Sequence, residues 1–267
     1  MARVGQGQMT EHATVLVRRE PPATHVTLNR PEKRNALSLE LMRELTGVLR
    51  DLGQDAEIGA IVLAGAGPAF SAGHDLAEMA DRDQAFYEEV FAACVELMET
   101  VHAVPQPVIA RVHGIATAAG CQLVAACDLA VASEQARFAT PGVKIGLFCS
   151  TPMVPISRAV GRKRAMEMLL TGEPIDAATA LDWGLVNRVV PAEELDAAVS
   201  ELVATITRSS RYVVALGKEA FWAQVDRDEH GAYELTSGVM CVNAAAEDAR
   251  EGIGAFLGKR APTWRNR

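Results

Sequence analysis

Residues 70–76 read Phe70-Ser71-Ala72-Gly73-His74-Asp75-Leu76, and residues 107–123 read Pro107-Val108-Ile109-Ala110-Arg111-Val112-His113-Gly114-Ile115-Ala116-Thr117-Ala118-Ala119-Gly120-Cys121-Gln122-Leu123. The first ends a glycine-rich loop, 65–73, that follows the apolar run 60–64 (Ala-Ile-Val-Leu-Ala). The second holds a proline-bounded strand pattern, 108–112, then a turn of small residues at 114–120 and a short helix. Each is a buried strand delivering a loop whose small side chains leave the backbone open to approach.

The flanking sequence extends this theme. Runs 14–18 and 24–28 flank Pro21-Pro22 and read as a hairpin or adjacent strands. Ser38 is a candidate N-cap for a helix reaching Gly53, with Leu41, Leu45, Val48 and Leu52 on one face. A long helix is expected around 85–101 and a strand at 129–132. Such βα alternation implies right-handed crossovers and a largely parallel layered core. After Pro191 the pattern turns helical, at 192–207, 212–225, 233–246 and 249–257, with no strand between. The expected organisation is a flexible N-terminal arm (1–13), a core domain (14–190) and a C-terminal helical oligomerisation subdomain (191–267).

Composition narrows the function. The 267 residues carry 26 Lys+Arg against 34 Asp+Glu, a net charge of −8, and 49% are hydrophobic. This excludes disorder and a general nucleic-acid-binding surface, and an anionic ligand must be met by a local basic patch or by backbone N–H groups. No apolar run approaches the ~18 residues of a membrane span. Five cysteines without a C-x-x-C pair argue against a disulfide framework and for a reducing compartment. With no leader-like start, the expected setting is cytoplasmic.

The loops admit three readings. Residues 65–70 open like a dinucleotide fingerprint, but Phe70 stands where the third glycine belongs and Pro68 interrupts the turn. Residues 69–73 imitate a nucleophile elbow around Ser71, with Ala69 in place of the first glycine; the alternative is a hydroxyl that satisfies loop backbone. Read together, segments 70–76 and 107–123 closely resemble the two signature segments of the crotonase (enoyl-CoA hydratase/isomerase) superfamily. Further matches lie at Leu28-Asn29-Arg30-Pro31, Asn35-Ala36-Leu37, Cys127-Asp128-Leu129-Ala130, Gly184-Leu185-Val186 and Glu251-Gly252, in the family's order and approximate spacing.

The resemblance implies an α/β crotonase (ClpP/crotonase-like) fold: a spiral of ββα units in two sheets with a C-terminal helical subdomain that builds homotrimers, stacked as hexamers in some members. The implied partner is an acyl-CoA thioester, as substrate. No further cofactor, no metal site and no nucleic acid are implied. The thioester oxygen is expected between the backbone N–H groups of His74 and Ala119, where a helix start favours developing enolate charge. Hydratases of the family add two glutamates, and the matching positions are Gln122 and Gly142, neither of which has a titratable side chain.

Lys33, Arg34 and Ala36 match a CoA-binding segment, and Phe256 and Lys259 match contacts made by a neighbouring subunit. Ala72, Asp75, Leu76, Gly120 and Cys149 are expected to border the substrate, with Asp75 also capping the short helix after it. Arg30, Lys33 and Arg34 against Glu32 give a local charge of +2. The expected function is that of an acyl-CoA enzyme in fatty-acid or acyl-CoA metabolism, a lyase or isomerase by family and without the standard hydratase pair. The alternatives are a CoA-thioester hydrolase or decarboxylase, and an acyl-CoA-binding or assembly protein with reduced catalysis.

Overall fold

The computed structural model describes residues 8–267. Its strands are β1 (Gln8–Glu11), β2 (Val15–Glu20), β3 (Ala23–Leu28), β4 (Ala60–Gly65), β5 (Ala69–Ser71), β6 (Val108–Val112), β7 (Ile115–Thr117), β8 (Leu129–Ser133), β9 (Arg137–Ala139), β10 (Ile175–Asp176) and β11 (Arg188–Val190). Its α-helices are α1 (Leu39–Gly53), α2 (Leu76–Met79), α3 (Gln84–Ala103), α4 (Ala119–Ala126), α5 (Met153–Ala159), α6 (Arg162–Thr171), α7 (Ala177–Trp183), α8 (Leu195–Thr207), α9 (Arg211–Gln224), α10 (Glu229–Ala245) and α11 (Glu247–Leu257).

The large sheet runs β1-β2-β3-β4-β6-β8-β11, antiparallel through β3 and parallel beyond it. A small sheet, β10-β9-β7-β5, lies apart from it. The chain alternates between them: β4, β6 and β8 are each followed by a strand of the small sheet, and helices follow in turn. This is the ββα spiral of the crotonase fold. Alternation along each strand splits the core. Ile61, Leu63, Val108, Ala110, Ala130 and Ala132 face the main cluster, while Ala60, Val62, Ile109 and Val131 face Leu195, Val199 and Val203 of α8. Sheet strands covered on both faces need largely apolar runs, which 60–64 supplies throughout and 108–112 supplies apart from Arg111, paired with Asp196.

Ser38 caps α1 as expected, accepting from Leu41 N at 3.2 Å. One expectation is corrected. The described part of the arm, Gln8–Glu11, is an edge strand paired with Leu16–Arg19, because β2 would otherwise present unpaired backbone groups; the rest of the arm lies outside the described residues. Of the helices after residue 190, α8 covers one face of the large sheet.

Candidate active site

Local hydrogen bonds hold the turn 30–37 against the first loop. Asn35, buried at φ 54°, accepts from Arg30 N at 2.9 Å through Oδ1, and its Nδ2 donates to the Ala66 and Ala69 carbonyls, both at 2.8 Å. Ala72 N donates to Arg34 O at 2.9 Å and Leu37 N to Gly73 O at 2.7 Å. Lys33 and Arg34 therefore stand exposed beside the loop, and among the described residues no carboxylate pairs with either. Arg30 differs: its guanidinium donates to Asp75 Oδ2 at 2.9 Å and to Ala36 O at 2.7 Å. The local basic patch is correspondingly smaller than its formal charge. This also corrects the role of Asp75, which occupies the N-cap position of α2 without a side-chain capping bond because Arg30 holds its carboxylate.

The first loop meets the second where Gly73, at φ 87°, has no side chain. A Cβ there would lie 2.8 Å from the Thr117 carbonyl and from Ala118 Cβ, and 3.2 Å from Ala119 N. Thr117 Oγ1 donates to Ala72 O at 3.0 Å and joins the loops further. Gly120 plays the complementary part, since a Cβ on it would run into Ser71. Ala118 turns the chain into α4 at φ 48° and ψ −118°, a strained conformation for a residue with a side chain, costing about 1–3 kcal/mol. The result is that His74 N–H and Ala119 N–H, on adjoining loops, have no acceptor among the described residues. Ala119 begins α4, so its free donor also sits at the positive end of the helix dipole.

Both donors border one cavity of about 420 Å³. Ala72, His74, Leu76, Ala119, Gly142 and Cys149 line it. Sequence reasoning missed Phe91 of α3 and the apolar segment Ile145, Leu147 and Phe148, which supply much of the wall. Phe91 gave only the signal of one more apolar residue on a helix. Burial holds the His74 imidazole neutral, its pKa lowered to about 4, with the Leu37 backbone acting in the opposite sense. Burial likewise pushes the Cys149 thiol up, the Gly142 backbone opposing, so Cys149 is not an activated nucleophile.

Other anticipated residues do not join the cavity. Gln122 is 3% exposed and its amide oxygen faces Cys94 Sγ at 3.6 Å; it lines a separate cavity toward α9. Phe256 and Lys259 stand at the far C-terminal end, with Phe256 83% exposed. Gly142 lines the cavity but has no room for a side chain, because a Cβ would collide with the Leu147 carbonyl and lie 2.9 Å from Cys149 Sγ. The elbow reading of Ser71 fails as well: its hydroxyl is fully buried and donates to Asn35 O at 2.8 Å. The dinucleotide reading fails because the loop after β4 leads into β5 and not into a helix.

A family model described as enoyl-CoA hydratase/isomerase matches residues 20–267. The chain is 46% identical over 259 residues to enoyl-CoA hydratase domain-containing protein 3, mitochondrial, of Mus musculus, covering 97% of this chain and 86% of that protein. It is 48% identical over 241 residues to the Homo sapiens protein of the same name, covering 90% and 80%. A crystal structure of enoyl-CoA hydratase from Mycobacterium smegmatis superposes with a TM-score of 0.93 at 48% identity, covering 95% of this chain and 99% of that one. The cytoplasmic expectation is corrected by the mouse and human relatives, both named mitochondrial. Unpaired cysteines select a reducing compartment and do not identify which one.

Proposed function

The chain belongs to the enoyl-CoA hydratase/isomerase family, and from that premise we propose that it is an acyl-CoA enzyme which stabilises a thioester enolate between the backbone N–H groups of His74 and Ala119. The observation that carries this reading is the pair of unpartnered donors on adjoining loops at one apolar cavity. One such preorganised donor contributes about 2.7–4 kcal/mol to a transition state that develops negative charge. The exposed Lys33 and Arg34 lie on the turn packed against the first loop, where they suit the phosphates of CoA. No cofactor beyond the substrate enters the reading.

Acid–base chemistry separates this site from an efficient hydratase. Water addition needs groups that move protons, a contribution of roughly 10²–10⁴-fold. Gln122 and Gly142 stand where the family's hydratases carry glutamate; one is held against Cys94, and the other leaves no space for a side chain. A reaction that depends chiefly on stabilising negative charge at the thioester oxygen, as an enolate in decarboxylation or as a tetrahedral intermediate in hydrolysis of a particular acyl-CoA, fits better. The exposed apolar residues of α10 and α11 support a homotrimer in which Phe256 and Lys259 reach a neighbour's CoA site.

The test is incubation with crotonyl-CoA while the enoyl absorbance is followed, beside a panel of malonyl-type, hydroxyacyl and saturated thioesters. Slow or absent hydration with turnover of another thioester is the expected result. Rapid hydration overturns the reading of Gln122 and Gly142, and binding without turnover of any thioester favours a binding or assembly role.

A further inference from the structure

The cavity bordered by the His74 and Ala119 N–H groups offers almost nothing that can move a proton. No Asp or Glu lines it, and its one cation, Lys144, is paired with Glu173 at 2.7 Å. Both ring nitrogens of His74 are shut away from solvent, so the imidazole cannot take a proton from a water in the cavity. Cys149 carries a thiol that burial keeps protonated. The rest of the wall is mainly apolar, with Phe91, Leu147 and Phe148 as its large side chains and Leu76 and Ile145, 51% and 61% exposed, toward solvent.

Hydrolysis of a thioester needs a base to deprotonate the attacking water. Loss of CO2 from the carbon beside the thioester needs none. The bond between Cα and the carboxylate breaks, its electron pair moves into the thioester, and the negative charge arrives on the oxygen that the two N–H donors hold. We propose that the site takes a 2-carboxyacyl-CoA, a thioester of malonyl type, and decarboxylates it to the plain acyl-CoA. This inference rests on the oxyanion function proposed above and chooses between the reactions it leaves open. A carboxylate set against Phe91, Leu147 and Phe148 loses hydration without gaining a partner, and that cost is relieved as CO2 leaves. The enolate then takes a proton at Cα from water, and the hydroxide so formed combines with CO2. One 2-carboxyacyl-CoA anion and one water thus give one acyl-CoA and one bicarbonate.

Incubation of the full-length protein with malonyl-, methylmalonyl- and ethylmalonyl-CoA, beside butyryl-CoA, tests this, with products read by mass spectrometry and free CoA by thiol titration. One 2-carboxyacyl-CoA is expected to lose CO2 about 100-fold or more faster than without protein, to gain deuterium at Cα in D2O, and to release no CoA. Release of CoA without loss of CO2 overturns the inference in favour of hydrolysis. So does a lack of turnover of all the 2-carboxyacyl thioesters when titration calorimetry shows that butyryl-CoA binds. Failure of every thioester to bind overturns the acyl-CoA reading as well, so the two failures are distinguishable. Phe148→Lys, at a wall position 39% exposed, offers the carboxylate a partner. Binding of the preferred substrate about tenfold tighter, with kcat about tenfold lower, is expected, whereas Phe148→Leu keeps both near the wild-type values. An unchanged kcat in Phe148→Lys overturns the desolvating role of the wall.

Discussion

At Gly142 the chain is packed so closely that one methyl group has nowhere to go. The Leu147 carbonyl and Cys149 Sγ occupy the space a Cβ would need. Gly142→Ala is expected to lower stability by about 1–3 kcal/mol, as overpacking does, and urea denaturation measures it; an unchanged midpoint would show that the segment 143–149 yields freely. His74 carries a second residue-scale prediction. Its folded-state pKa of about 4 lies below the ordinary value of 6.5, so the unfolded chain takes up the proton first as pH falls. Stability from this group is complete above pH ~6.5 and is lost as pH drops toward ~4. The loss between pH 7 and 4.5 is about 2–3 kcal/mol, and His25 and His102, also lowered by burial, act in the same direction. Denaturation curves of the wild type and His74→Phe at the two pH values check it, the variant showing the smaller loss. The small-residue loops and His74 were legible in the sequence. The pairing of Asp75 with Arg30, 45 residues away, was not, because a side chain's partner depends on which turns the fold brings together.

Among the elements, those with a period or a long apolar run could be read directly. The α1 stripe and the β6 run correspond to Leu39–Gly53 and Val108–Val112. The strands β5, β7 and β9 have three residues each, too few for any alternation to emerge, yet they position both loops of the site. The attachment of α9 rests on a buried cluster that is equally invisible in sequence. Lys218 Nζ, with its side chain 6% exposed, lies 2.7 Å from Asp128 Oδ2 and donates to the Val101 and Gln106 carbonyls, while Trp222 Nε1 donates to Asp128 Oδ1 at 3.0 Å. Removing one member of a buried ion pair leaves the other uncompensated. Lys218→Ala is therefore expected to cost about 3–5 kcal/mol, with earlier amide exchange in 211–224 than in the large sheet. Hydrogen-exchange mass spectrometry reads both regions, and uniform protection would contradict the assignment.

On the scale of the whole molecule, the C-terminal helices leave Phe256 and Leu257, 83% and 75% exposed, on an outer face. Apolar side chains this large in one patch are the composition of an interface. If copies of the chain meet there, Phe256→Asp shifts the sedimentation profile toward monomer and weakens CoA-thioester binding, whereas an unchanged profile removes this face from the assembly. The amino-acid sequence by itself determined the layered α/β core and the two small-residue loops, because hydrophobic periodicity and local turn chemistry act between near neighbours along the chain, and its signature segments carried the resemblance to the family. Only the tertiary structure decided which groups share the cavity. It set Phe91 and the 145–148 segment around His74 and Ala119, turned Gln122 toward Cys94, and closed the space at Gly142. Those outcomes follow from close packing between segments distant in sequence, where a carbonyl or a sulfur atom excludes a side chain that local preferences alone would allow.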